Sequence, residues 1–212
     1  AYSKSCRTEG SGARRRARSC AVLSHASGDI DAQNMMALLT DHADGLTPNE
    51  PLRTLPGSGS GICVHCAADG TGGNTAASLV AELCADGTRL PIYWCSFYSP
   101  CLSIFLPFFN EGQLATALSR GDKDPSDDSP WWRFHQLARL ARTQPDTIPA
   151  ICAHWSEWQT QLFTSANQIA VEGRQLLDAG QDIESERLLS DYMASNTASM
   201  LEGVNALLHN TS

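Results

Sequence analysis

The stretch from Gly61 to Phe109 limits what this chain can fold into more than any other. Short apolar runs rich in β-branched and aromatic residues are punctuated there by Asp69-Gly70, Gly72-Gly73, Asp86-Gly87 and Ser99-Pro100. Turn pairs alternating with such runs predict consecutive hairpin-linked antiparallel strands over about 61–109. The uncharged run from Leu90 to Asn110 is long enough to cross a bilayer, but Pro91, Pro100 and Pro107, with serines between them, are incompatible with a membrane helix. No membrane association is expected.

Around this stretch the pattern turns helical. Ala17, Cys20 and Ala21 recur beneath an arginine cluster and predict an amphipathic helix over Ala13–Ala26, ended by Ser27-Gly28 after an N-terminal loop. Asp29 or Asp31 then caps a second helix with Met35, Met36, Leu38 and Leu39 inward, closing near Asp44-Gly45 ahead of a Pro/Gly/Ser loop to residue 60. Downstream, Gln113–Leu118 suggests a short helix and Gly121–Pro130 an acidic surface loop. A helix begins at Trp131, with Trp131, Phe134, Leu137, Ala138 and Ala141 on one face. Residues 147–178 and 184–208 carry apolar residues at three- and four-residue steps, which predicts an antiparallel helical hairpin. The fold class is α+β, strands followed by helices, with residues 1–130 as one α+β region and residues 131–212 as a helical region packed on it.

The formal net charge is −8, although Lys4, Arg7, Arg14, Arg15, Arg16 and Arg18 cluster near the start. So short a basic cluster offers few phosphate contacts, and pairing with the acidic body is the expected use; no nucleic-acid partner is implied. The eight cysteines follow no disulfide-scaffold spacing, and no apolar leader precedes them, so the expected compartment is reducing and cytoplasmic.

Several residues together resemble a known family. Cys63-x-His65, Thr75-Ala-Ala-Ser78-Leu-Val80, Tyr93-Trp94, and Ser99-Pro100 leading to Ser103-Ile-Phe105-Leu-Pro107-Phe are similar to the C-terminal half of the secernins. Leu39-Thr-Asp41-His42 extends the likeness upstream to about Ala13. Secernins belong with the dipeptidase-like cysteine hydrolases of the N-terminal-nucleophile (Ntn) superfamily. The resemblance therefore implies part of an αββα sandwich, a peptide-like small-molecule substrate, and hydrolysis by a chain-terminal cysteine whose own α-amine serves as base. Position 1 is alanine. The expectation is a C-terminal portion, inactive alone, whose nucleophile lies outside this chain, and which associates with a missing N-terminal half or with itself because half a sandwich exposes sheet edges. The alternative is a non-catalytic secernin-like interaction protein.

Candidate catalytic residues follow from both readings. His65 matches the Cys-x-His of the resemblance; Cys101 occupies a Ser-Pro turn and would need His65, His135 or His154 as base; Cys6 would serve only if processing exposed it. Asn74, Ser99 and Ser103 are candidate pocket residues. Cys63-Val-His65-Cys66 has a ligand-like spacing, but no second pair follows, and on a strand Cys66 faces away from Cys63 and His65, so neither metal nor cofactor is expected.

Overall fold

The computed structural model describes residues 11–25, 30–42, 55, 61–67 and 70–209. The expectations placed on the N-terminal loop, on Cys6, on the Ser27-Gly28 break and on the loop from Gly45 to Ser60 lie outside the described residues, apart from Leu55. The order of elements is α1 (Ser11–His25), α2 (Ala32–Leu39), β1 (Ala77–Glu82), β2 (Ile92–Phe97), β3 (Leu106–Phe108), α3 (Pro130–Thr143), α4 (Ile148–Asp178) and α5 (Asp182–His209). This is an α+β arrangement. No described helix is long and apolar enough to cross a membrane.

The three strands form an antiparallel sheet in the order β1-β2-β3, with Leu79 opposite Cys95 and Tyr93 opposite Phe108. The sheet is smaller than the sequence suggests, because the segment 61–67 is not a strand. Its hydrogen bonds go elsewhere. The amides of Ile62 and Cys63 both donate to the Asp41 carbonyl at 3.0 Å, and Val64 pairs with Thr75 through both its amide and its carbonyl. Asp31 caps α2 as expected, accepting from the Asn34 amide, but the helix stops at Leu39 rather than near Asp44. The Asp41 carbonyl is turned outward to the Ile62 and Cys63 amides instead of continuing the helical ladder. Residues 113–118 likewise give only a 3-10 turn at Thr116–Ser119.

One face of β2 is fully buried. Ile92, Trp94 and Ser96 point into a core shared with Phe134, Leu137, Ile151, Trp155 and Leu162. The Trp94 ring packs on Phe163 of α4, and its indole N–H donates to the Glu82 carboxylate at 2.9 Å, so its polar edge is not stranded in the core. The other face, with Tyr93, Cys95 and Phe97, is only half-buried. It lines an apolar groove of about 500 Å³ with Phe108, Leu114 and Leu118. Strand β1 is an edge among the described residues, and Leu79 and Leu83 are 59% and 70% exposed.

Helices α4 and α5 form the expected hairpin. Gly180 takes a left-handed conformation (φ 72°), and the amides of Gly180 and Gln181 cap the carbonyls of Leu177 and Leu176, the Schellman arrangement that ends α4 sharply. The pair then approach closely. A Cβ on Gly173 would lie 3.0 Å from a Leu90 methyl and 3.2 Å from one of Leu189, and Ser185 donates to the Gly173 carbonyl. Ile151, Trp155, Leu162 and Ala166 on α4 meet the core together with Leu189, Met193, Met200 and Val204 on α5. Helix α3 begins at Pro130 behind a Ser129 cap, and Phe134, Leu137, Ala138 and Ala141 of its predicted inward face are buried, while Trp131 is only half-buried. Gln159 clamps the extended backbone at Phe105, accepting from its amide at 2.8 Å and donating to its carbonyl at 3.1 Å.

Candidate metal centre

The site is built from three separate pieces of chain. Asp41, just past the end of α2, anchors its first corner: it forms a bidentate ion pair with Arg18 of α1, at 2.5 and 2.9 Å, which gives one member of the arginine cluster the expected carboxylate partner. Its carbonyl, holding the Ile62 and Cys63 amides, brings the 61–67 segment against His42. Gly61 allows this approach, since a Cβ there would lie 2.6 Å from the His42 Cα and 2.8 Å from the Asp41 carbonyl oxygen.

The last corner comes from the turn after β2. Tyr98 adopts φ 57°, unusual for a residue with a side chain, and is held by its amide to the Ala76 carbonyl and by edge-on packing against Trp131. The chain then reverses through the 3-10 turn Pro100–Leu102 and directs Cys101 inward. Asn74 donates to the Ser99 hydroxyl at 2.9 Å, and the Leu102 carbonyl accepts from the Trp155 indole, so the turn is fixed from both sides.

At the centre lies the Nε2 of His65. It is 3.0 Å from the His42 Nε2 and 3.4 Å from each of the Cys63 and Cys101 sulfurs, which are 3.8 Å apart. All four ligand atoms lie within 4.8 Å of one another. Cys63 and His65 are each 1% exposed. The His65 Nδ1 is buried without a protein hydrogen-bond partner. Hydrogen bonding from Cys101 holds the Cys63 thiol far below its ordinary range; His42 and His65 act in the same direction, against the opposing cost of burial. Burial, with the neighbouring Cys63 sulfur, pushes Cys101 well above that range. The two sulfurs face each other at 3.8 Å beside the same histidine nitrogen.

No second ligand pair follows, as read from the sequence, but the strand premise for expecting no metal here does not hold. Cys63 and His65 are not on a strand, and the further donors arrive as single residues, His42 from upstream and Cys101 from downstream. Cys66 stays outside the cluster, as its place beside them suggests. Of the catalytic candidates, His65 and Cys101 are brought together and Cys6 lies outside the described residues. The other proposed bases are elsewhere: His135 is set among Tyr98, Trp131 and Trp132, its pKa lowered chiefly by burial, and His154 is exposed beside Trp155. Asn74 and Ser99 bond each other and Ser103 bonds Ser96, which places the proposed pocket residues in internal hydrogen bonds and not in the apolar groove. His42 belongs to the Leu39-Thr-Asp41-His42 likeness, which implies no role for it. The Cys-x-His element carried the local signal, while the partners lie 23 residues before His65 and 36 after it, beyond any short motif. No family model and no curated protein sequence matches this chain.

Proposed function

We propose that this chain supplies the sheet-and-helix wall of a secernin-like cysteine hydrolase acting on the amide bonds of dipeptides or similar small substrates, the nucleophile being a terminal cysteine outside residues 1–212. The observation that supports this reading most is the unevenly covered sheet. Its Ile92–Trp94–Ser96 face lies in the helical core, while the Leu79–Cys95–Tyr93 face opens onto an apolar groove and β1 keeps a free edge among the described residues. A sandwich of two sheets needs such a face on each half. The buried cysteines also fit a non-nucleophilic role, since Cys63 is sealed from solvent and Cys101 shares one histidine nitrogen with it.

The test is labelling of the full-length gene product with an electrophilic, thiol-reactive amide probe, followed by peptide mapping and a dipeptide screen. Label on a chain-terminal cysteine, with dipeptide turnover, is the expected result. Label on Cys101, or a full-length product with no cysteine at any mature terminus, overturns the hydrolase reading and leaves a secernin-like interaction protein.

A further inference from the structure

We propose that His42, Cys63, His65 and Cys101 together bind one divalent zinc-class ion in a closed, tetrahedral Cys2His2 site that fastens the α1–α2 segment to the sheet. The inference stands apart from the hydrolase reading. It rests on the geometry and donor chemistry of the cluster.

The first argument is distance. Zinc–sulfur bonds of about 2.3 Å and zinc–nitrogen bonds of about 2.0–2.1 Å, set tetrahedrally, require about 3.8 Å between two sulfurs, about 3.3 Å between two nitrogens and about 3.5 Å between sulfur and nitrogen. The pairs found are 3.8 Å for Cys63–Cys101, 3.0 Å for His42–His65, and 3.4 Å for His65 with either sulfur. Four of the six pairs thus already stand near tetrahedral spacing, and the two from His42 to the sulfurs lie within 4.8 Å.

The second argument is saturation. A neutral imidazole nitrogen has either one proton or one lone pair, so the His65 Nε2 cannot satisfy His42, Cys63 and Cys101 at once. A buried polar cluster with more donors and acceptors pointing inward than can pair is costly on its own terms. A central cation resolves it, because all four atoms then direct lone pairs at one point. Binding gives two zinc–nitrogen and two zinc–thiolate bonds; any proton still on either sulfur passes to solvent, and the two thiolates offset the charge of the ion.

The donor set selects the class. Two thiolates with two imidazoles in tetrahedral array suit zinc, whereas magnesium and calcium require oxygen ligands. All four positions are filled by protein, and Cys63 and His65 are sealed from solvent, which marks a structural site and not one that activates water. The ion joins the end of α2, the 61–67 segment and the turn after β2.

The experiment uses the purified chain, stripped with chelator under reducing conditions and titrated with cobalt(II), then zinc(II). The expected result is one cobalt per chain, with sulfur-to-metal charge transfer near the ultraviolet edge and intense visible bands of tetrahedral cobalt, bleached by stoichiometric zinc. His42→Ala and Cys101→Ser should weaken zinc binding by at least a hundredfold, while Cys66→Ser and Cys152→Ser bind as the parent does. Since a ligand variant can fail to fold, hydrogen exchange on the parent chain gives an independent reading: chelation should speed exchange over residues 11–25, 30–42 and 61–67 and leave α4 and α5 protected. Absence of the tetrahedral cobalt spectrum, equal loss in Cys66→Ser and Cys101→Ser, or a Cys63–Cys101 disulfide persisting after reduction would each overturn the proposal.

Discussion

The α4–α5 hairpin and the α1–α2 segment are both helical pairs, yet they are held by different physics. Between α4 and α5 the contact is close and mainly apolar, with Gly173 admitting Leu189 and Gly203 admitting His154 and Trp155 where any Cβ would crowd them, and Ser185 and Ser165 adding hydrogen bonds to the Gly173 carbonyl and the Tyr192 hydroxyl. Helix α1 buries none of its described side chains completely, and α2 buries only Ala32, Met36 and Leu38. What fixes the N-terminal pair is polar: Arg18 on Asp41, the Asp41 carbonyl on two amides, and His42 in the four-donor cluster. Burial holds a long hairpin without special chemistry, because each turn adds to the same core. A short amphipathic pair with little apolar surface needs directional contacts at a few points.

The contrast can be broken most severely in the core beneath the hairpin. Trp155→Ala removes a side chain packed against Phe134 and Trp158, and leaves the Leu102 carbonyl without its indole donor. It should lower stability by about 4 kcal/mol, read as a drop in the midpoint of urea unfolding at unchanged slope. Gly61→Ala acts on the other region. Its Cβ would meet backbone atoms of Asp41 and His42, so the strand of contacts between α2 and the 61–67 segment must shift, at about 3 kcal/mol. Cobalt titration of this variant should show the ligand set disturbed while far-ultraviolet circular dichroism keeps the hairpin signal.

Arg18→Ala separates ion pairing from ligation. Asp41 is 4% exposed in its side chain, and loss of the bidentate guanidinium should cost about 2 kcal/mol, confined to accelerated hydrogen exchange in α1 and α2. The smallest effect is expected at the edge strand. Leu79→Lys changes a side chain that is 59% exposed and should alter the unfolding free energy of this chain by less than about 0.5 kcal/mol. The same substitution should weaken association with the proposed N-terminal half, as measured by sedimentation of the two together; an effect on the isolated chain larger than on the assembly would argue that the Leu79 face packs internally.

These two regions also differ in how far the sequence alone disclosed them. Ile151, Trp155, Leu162 and Ala166 repeat at helical spacing, and Gly180 marks the reversal, so local periodicity carried the hairpin almost to its ends. The Gly61–Ala67 segment looked like a strand because Ile62, Val64 and the cysteines resemble a short apolar run; nothing local tells that its amides turn to the Asp41 carbonyl. Within the site, His65 and Cys101 were singled out for different chemistry from the one their convergence suggests. His42 could not be linked to them, because a tertiary cluster has no fixed spacing. Gln159 has no local signal for the same reason: its clamp on Phe105 spans 54 residues.

The dispersal of the four donors along the chain has a kinetic side. His42 and His65 are 23 residues apart, while Cys63 must wait for Cys101, 38 residues later and across the β1–β2 hairpin. Closing the first loop leaves a three-donor half-site that any stray thiol or imidazole can complete. An ion captured too early would therefore hold the chain in wrong partnerships. Refolding should be fastest when metal is added after the sheet has formed, and slowed when zinc is present from the first moment of dilution.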